Sequence, residues 1–102
     1  EPGNLIANEF VLGRNYPNPF NPETKIPFNV PASAAGERIT LSVYNVLGQK
    51  VLTLFDGKAR TGLNTVSWIG INAAGHPVSS GIYIYELKSK NITLTNRMLL
   101  IK

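Results

Sequence analysis

Residues 15–22 read Asn15-Tyr16-Pro17-Asn18-Pro19-Phe20-Asn21-Pro22 and place three prolines within six positions. Each proline fixes its φ angle and lacks a backbone N–H, and the residue before each proline is driven towards extended geometry. The run therefore excludes a helix and a continuous sheet ladder, and it predicts a rigid corner that carries the chain between two sheets. We expect Tyr16 and Phe20 to bury their rings as plugs at one end of the fold.

The sequence on both sides of this proline corner is typical of β-strands. Residues 10–13 predict a short first strand, and residues 24–31 place alternate apolar side chains on one face of a second strand. Pro27 falls on the opposite face and cannot donate to a ladder. We therefore expect this second strand to lie at a sheet edge or to carry a bulge.

The next part of the chain predicts a hairpin and a further strand. Residues 39–44 and 51–55 are joined by Asn45-Val46-Leu47-Gly48-Gln49, in which Gly48 tolerates a positive φ. A basic surface loop follows between Asp56 and Gly62. Residues 63–68 then form a strand that Trp68 anchors in the core.

The last third of the chain predicts two more strands. Residues 70–80 are rich in Gly, Ala, Asn and Ser and form a connection with a turn at Gly75-His76-Pro77. Residues 81–88 carry apolar side chains on both faces, which is typical of a central strand covered on both sides. Residues 92–102 close the chain with a final, largely apolar strand.

About seven short strands separated by turn signals predict an all-β fold, a single immunoglobulin-like antiparallel β-sandwich over residues 10–102. The 102 residues allow one domain, and we interpret residues 1–9 as a linker from a preceding domain in the same chain. No apolar run approaches the roughly 20 residues of a membrane-spanning helix, so no transmembrane segment is predicted. The net charge of +4 comes from dispersed Lys and Arg residues, which argues against a nucleic-acid partner.

The ionisable residues form no recognisable catalytic or metal-binding pattern. The six acidic residues fall mostly in predicted loops or at strand ends, and the single histidine, His76, lies in a turn. There is no cysteine, which excludes disulfides and thiolate chemistry. We therefore predict no catalytic residue, no metal and no cofactor.

The aromatic residues leave an alternative function open. Flat rings beside polar groups suit sugar stacking, so the chain could be a structural or carbohydrate-binding β-sandwich module of a modular extracellular enzyme. Strand phasing favours core positions for Trp68 and Tyr85. The same phasing leaves Tyr44 as the most exposed ring.

Several motifs, in a fixed order, carry a resemblance to a known family. They are Asn15-Tyr16-Pro17-Asn18-Pro19-Phe20-Asn21-Pro22, Thr24-x-Ile26-x-Phe28, Val43-Tyr44-Asn45-x-Leu47-Gly48-Gln49-x-Val51, Val66-x-Trp68, Gly81-Ile82-Tyr83 and Arg97-Met98. From about Leu12 to Lys102 the chain resembles a C-terminal sorting domain of the type IX secretion system, of type A. More distantly, it resembles the immunoglobulin-like domain of flagellar hook-capping proteins. The chain departs from the family pattern at Ile69, where Asp or Asn is common, and a small exposed apolar patch is expected there.

The resemblance implies a non-catalytic module that targets its parent protein, a secreted hydrolase or adhesin, for export across the outer membrane and attachment to the cell surface. The implied partners are the outer-membrane secretion machinery and a sortase-like protease. The implied path leads through the periplasm to the extracellular medium or the outer-membrane surface.

The resemblance also assigns residues by position. Those implied in sorting are Gly81, Tyr83, Arg97, Met98, Leu99, Leu100, Ile101 and Lys102. The structural signature of the family comprises Tyr16, Pro17, Pro19, Phe20, Pro22, Gly48 and Trp68. On this interpretation a receptor docks on the Gly81–Lys102 part by shape or by strand addition, and the proline corner only holds the first strands in place.

Overall fold

The computed structural model describes residues 8–102, so most of the linker predicted at residues 1–9 lies outside the described part. The described chain forms seven strands and one short 3-10 helix, Ala32–Ala34. The strands are β1 (Val11–Leu12), β2 (Thr24–Val30), β3 (Arg38–Tyr44), β4 (Lys50–Lys58), β5 (Gly62–Trp68), β6 (Gly81–Lys88) and β7 (Thr93–Leu100).

The strands pair into two antiparallel sheets that form a β-sandwich, as predicted. The three-stranded sheet has the order β1-β2-β5, and the four-stranded sheet has the order β4-β3-β6-β7. In constant-type immunoglobulin domains the fourth strand joins the first, second and fifth strands. Here β4 instead returns beside β3 through a hairpin, which confirms the hairpin predicted around Gly48.

The core lies between the inward faces of the two sheets. In β2 and β6 every second side chain is buried, which is the period-two pattern of a strand with one covered face. The largest fully buried side chains include Trp68, Tyr85, Phe20, Ile26, Ile39, Leu41, Leu87, Met98 and Leu100.

Two strand predictions need correction. β6 is central, as expected, but its outer face is only partly covered, since Ile82 keeps 45% of its surface exposed. β2 is the middle strand of its sheet and not an edge strand. The Pro27 carbonyl accepts the Gly13 N–H, so the backbone groups of Pro27 point to the side of β1. β1 ends at Leu12, just before this position, so the N–H that proline lacks is not needed to continue the ladder.

β4 is longer than predicted and includes the segment expected to be a loop. Asp56 and Gly57 lie within it, opposite Thr40 and Ile39, so the connection to β5 shortens to residues 59–61. Asp56 forms an ion pair with Arg38 at 2.8 Å, which explains an acidic residue on this face of the sheet.

Two turns, one between β3 and β4 and one between β5 and β6, share the sequence pattern Asn-x-x-Gly-x. The Asn45 Oδ1 accepts the N–H groups of Leu47 and Gln49, and the Asn72 Oδ1 accepts those of Ala74 and His76. In each turn the glycine has a positive φ, 80° at Gly48 and 86° in the second turn, a conformation that side chains disfavour. The second turn docks on the β4 edge, where the Ala73 N–H donates to the Val51 carbonyl.

No helix within residues 8–102 is long and apolar enough to cross a membrane.

Candidate recognition site

The proline corner and β7 meet at one edge of the four-stranded sheet. The Phe20 N–H donates to the Leu99 carbonyl at 3.0 Å, and the Ile101 N–H donates to the Phe20 carbonyl at 3.0 Å. The Asn18 Oδ1 accepts the Leu99 N–H at 3.0 Å. The corner therefore contributes one short parallel bridge to the end of β7, between Phe20 and Leu100.

This contact corrects the expected role of the corner. The corner joins β1 to β2, which lie in the same sheet, so it does not carry the chain from one sheet to the other. At its start the Tyr16 and Lys25 backbones pair with each other in the three-stranded sheet. Between these two contacts the corner reaches across the open side of the sandwich and touches β7 of the other sheet.

The two aromatic rings of the proline corner differ in burial. Phe20 is 2% exposed and packs on Trp68, with ring centroids 5.7 Å apart, so its prediction as a plug is confirmed. Tyr16 is 79% exposed, and its predicted burial is wrong. Its backbone is tied to Lys25, and this pairing turns the ring outward, away from the core.

The three prolines of the family's structural signature lie on the surface around Phe20. Pro17, Pro19 and Pro22 are exposed, and the peptide bond before each is cis. Gly48 belongs to the β3–β4 turn, two strands away from β7 in the sheet order. Of the signature residues, only Phe20 and Trp68 are buried in the core beneath β7.

The residues assigned to sorting divide into a buried set and an accessible set. Tyr83, Met98 and Leu100 are 6%, 2% and 0% exposed, so no receptor can contact their side chains while the domain is folded. Ile101 is 48% exposed. The other accessible members are Arg97 and Lys102, which are exposed, and Gly81 and Leu99, which are half-buried.

Tyr83 has a structural task at the start of β6. Its hydroxyl donates to the Ser79 carbonyl four residues upstream at 2.6 Å, and its ring meets Trp68 edge-on at 5.2 Å. A tyrosine near the start of the sixth strand that bonds back to the preceding backbone is the tyrosine corner of immunoglobulin-like sandwiches. Gly81 precedes it with a φ of 154°, and a Cβ there would meet no atom within 4 Å, so the backbone conformation alone favours glycine.

Two polar side chains of the four-stranded sheet, those of Tyr85 and Asn96, hold residues 12–15. The Tyr85 hydroxyl donates to the Gly13 carbonyl at 2.7 Å and accepts the Asn15 N–H at 3.0 Å. The Asn96 Nδ2 donates to the Leu12 carbonyl at 3.0 Å. Burial raises the pKa of the Tyr85 hydroxyl above its ordinary value of 10.0, so this bridge stays protonated at neutral pH.

A groove of about 630 Å³ opens on the outer side of this junction. It is lined by Arg14 and Asn18 of the corner region, by Ile82 and Ile84 of β6, and by residues 95–99 of β7. Sequence reasoning assigned no contact to Arg14, Asn15, Asn18 or Asn96. Asn15 and Asn18 lay in the recognised proline motif, but nothing in the sequence indicated that Asn15 would bond to Tyr85 or that Asn18 would bond to β7.

The aromatic side chains do not assemble into a surface platform within residues 8–102. Trp68, Tyr83 and Tyr85 are buried, which confirms the core prediction for Trp68 and Tyr85. Tyr44 is half-buried and its hydroxyl donates to the Glu86 Oε1 at 3.3 Å, so its prediction as the most exposed ring is wrong. Tyr16 is far more exposed than Tyr44. Ile69 is 51% exposed, which confirms the apolar exposure expected there.

The comparisons with known proteins agree with this architecture. A family model described as "Secretion system C-terminal sorting domain" matches residues 14–102. No curated protein matches the sequence. The chain is similar in structure to PorZ, described as an essential bacterial surface component of the type IX secretion system of Porphyromonas gingivalis, with 20% sequence identity and a TM-score of 0.60.

That structural similarity covers 87% of this chain and 11% of the PorZ chain, so the chain spans about a tenth of the length of PorZ. At this identity the similarity supports the fold alone. The family match covers nearly all of the described residues, including the proline corner, the tyrosine corner and β7. The chain therefore belongs to the family of C-terminal sorting domains of the type IX secretion system, whose role is to target proteins for export.

Proposed function

We propose that the chain directs its parent protein across the outer membrane, and that the export machinery recognises the surface where β7 meets the proline corner. The observation that carries the proposal is the family match over residues 14–102. The contacts between Phe20, Leu99 and Ile101 support the location, because they join the proline corner to the end of the last strand within the matched region.

The accessible and buried sorting residues have different tasks in this proposal. Arg97, Ile101 and Lys102 offer side chains that a receptor can touch. Met98 and Leu100 fill the core beneath them, and the backbone ladder holds β7 against β6. Tyr83 fixes the start of β6, which in turn positions β7. A receptor thus recognises a folded surface whose shape depends on the buried residues beneath it.

The wider pathway follows from the same assignment. The parent protein is a secreted hydrolase or adhesin, which crosses the periplasm and ends in the medium or on the outer-membrane surface. A sortase-like protease removes the module and attaches the parent protein to the cell surface. The module itself is non-catalytic, and the parent protein performs any chemistry.

A reporter fusion tests this function. A fluorescent protein exported to the periplasm is joined to the N-terminal side of the chain and expressed in a bacterium that has the type IX system. We expect fluorescence at the cell surface or in the medium, and retention in the periplasm when residues 81–102 are removed. The same fusion in a strain without the secretion pore should also be retained. Equal export of the reporter with and without the chain would refute the proposal.

A further inference from the structure

We propose that the free edge of β7 is a strand-pairing site for an extended acidic segment of a partner protein. This inference rests on the proposed function, since it names the chemistry of the partner that the same surface takes. The site consists of the outward-facing backbone of Thr93, Thr95 and Arg97, together with the cations beside it.

The direction of the backbone groups follows from the contacts at Leu99. Its N–H and carbonyl bond to Asn18 and Phe20 and so point away from β6. Along an antiparallel strand, every second residue directs its N–H and carbonyl to the same side. Arg97, Thr95 and Thr93 therefore also present their N–H and carbonyl groups at the open edge.

The two edges of the four-stranded sheet are built differently. β4, at one edge, is interrupted by bulges at Leu54 and Val51, and the turn at Ala73 covers part of it. β7, at the other edge, pairs with β6 in an unbroken register over all eight residues and contains no proline. Bulges, prolines and covering loops are the usual protection against strand pairing. Residues 93–97 of β7 carry neither a bulge nor a proline, and the neighbouring segment at Leu12 and Gly13 is bonded by the Asn96 side chain and not by the β7 backbone.

The chain itself shows that the backbone of this edge accepts hydrogen-bonding partners from another segment. Asn18 and Phe20 occupy the end of the edge at Leu99 and Ile101, and their pairing stops there. A guest segment could continue the same ladder along residues 93–97, over about 17 Å at 3.3 Å per residue. The groove beside Arg14 and Asn18 adjoins this stretch, since residues 95–97 also line it.

The charges around the edge select an acidic guest. Arg14 lines the groove, Arg97 lies on β7, and Lys88 stands opposite Thr93. The ion pairs within residues 8–102 are Lys25–Glu23 and Arg38–Asp56, so none of these three cations is paired there.

The acid on this face, Glu86, stands opposite Thr95 and accepts the Tyr44 hydroxyl. Three cations therefore face one acid. Guanidinium groups bind carboxylates with two parallel hydrogen bonds, so alternate acidic side chains of a guest strand suit Arg14 and Arg97.

The same charges disfavour a second copy of this chain as the guest. Antiparallel pairing of two β7 edges would bring Arg97 of one copy near the edge of the other, where Arg14 and Arg97 also lie. Like charges on neighbouring strands destabilise a sheet. The favoured guest is therefore a different, acidic segment.

The test measures binding of a fluorescein-labelled peptide of about ten residues that alternates valine and glutamate, a length that spans the edge. The chain is titrated by fluorescence anisotropy, and a valine–lysine peptide serves as the control. We expect the acidic peptide to bind and the basic peptide not to bind. Amide hydrogen exchange at Thr95 and Arg97 should slow when the acidic peptide is added.

Three variants separate the contributions of backbone and charge. Thr95→Pro removes an outward N–H without touching the β6–β7 ladder, and we expect it to weaken binding about tenfold or more. Thr95→Ala keeps that N–H and should bind like the unmodified chain. Arg14→Gln combined with Arg97→Gln leaves the edge intact and should weaken binding of the acidic peptide, with a smaller dependence on salt.

The outcomes decide between the inference and its rivals. Equal binding of acidic and basic peptides, no binding at all, or unchanged binding by a folded Thr95→Pro variant overturns the inference. So does self-association of the chain that Thr95→Pro abolishes, because the guest would then be a second copy. If Thr95→Pro loses peptide binding but the reporter is exported normally, the inference fails while the sorting function stands. If the unmodified fusion is not exported, the sorting function itself fails.

Discussion

At the scale of single residues, long-range polar contacts close the sandwich. Tyr85 and Asn96 of the four-stranded sheet hold Leu12, Gly13 and Asn15, residues that lie 70 to 84 positions earlier in the chain. Buried polar groups stabilise a fold only when they are paired, and removing one partner leaves the other desolvated. These bonds therefore fix where the proline corner begins its path towards β7.

Replacing Tyr85 by Phe tests this anchoring. We expect a loss of about 1–3 kcal/mol in the free energy of unfolding, because the Asn15 N–H loses its partner in a buried position. Urea unfolding followed by the fluorescence of Trp68 measures it. Tyr16→Phe is the matched control, since that ring is 79% exposed, and it should change stability by less than about 0.5 kcal/mol. Similar losses in both variants would contradict the account.

The same residue predicts a response to alkaline pH. Because burial raises the pKa of Tyr85 in the folded state above 10.0, the folded chain holds this proton more tightly than the unfolded chain does. Its contribution to stability is complete below the unfolded pKa and is lost as pH rises through the folded pKa. Tyr85→Phe should therefore lose less stability than the unmodified chain between neutral pH and a pH above 10.

At the scale of elements, alternation allowed the strands and their inward faces to be predicted, since a period of two follows directly from strand geometry. Trp68, Phe28 and Leu41 could be placed in the core for that reason. The path of the corner could not be predicted. Proline stiffness is local, whereas the contact of Phe20 with Leu99 depends on how the two sheets stack. The end of β4 was missed because Asp56 and Gly57 look like a turn, and only pairing with β3 keeps them in a strand.

The turn predicted at Gly75-His76-Pro77 begins earlier, at Asn72, and the role of the Asn72 side chain was not predicted although the pattern matches that of the first turn. Asn72→Ala removes the oxygen that accepts the Ala74 and His76 N–H groups, and we expect a loss of about 1 kcal/mol in the free energy of unfolding. Asn72→Asp keeps an acceptor at the same place and should lose less. Thermal or urea unfolding compares the two. A larger loss for the aspartate variant would show that the side-chain oxygen does not hold this turn.

At the scale of the whole molecule, two segments far apart in sequence form one surface. The proline corner and β7 lie at opposite ends of the matched region, yet Phe20, Leu99 and Ile101 share a short ladder. The buried Phe20, Trp68 and Tyr83 rings lie beneath it. Only one of the two segments of the candidate site was therefore predicted. The family resemblance indicated the last strand, whereas the proline corner was expected only to hold the first strands in place.

The most direct test of the central claim compares matched charge reversals at the two edges of the four-stranded sheet. Arg97→Glu with Lys102→Glu changes the β7 surface, and Lys50→Glu with Lys58→Glu makes the same change in charge on β4; all four side chains are exposed. Both double variants should fold, as checked by urea unfolding. Measured as surface and medium fluorescence of the reporter fusion, export should be lost with the β7 variant and retained with the β4 variant. Normal export of a folded β7 variant, or equal loss in both, would contradict the assignment of this surface.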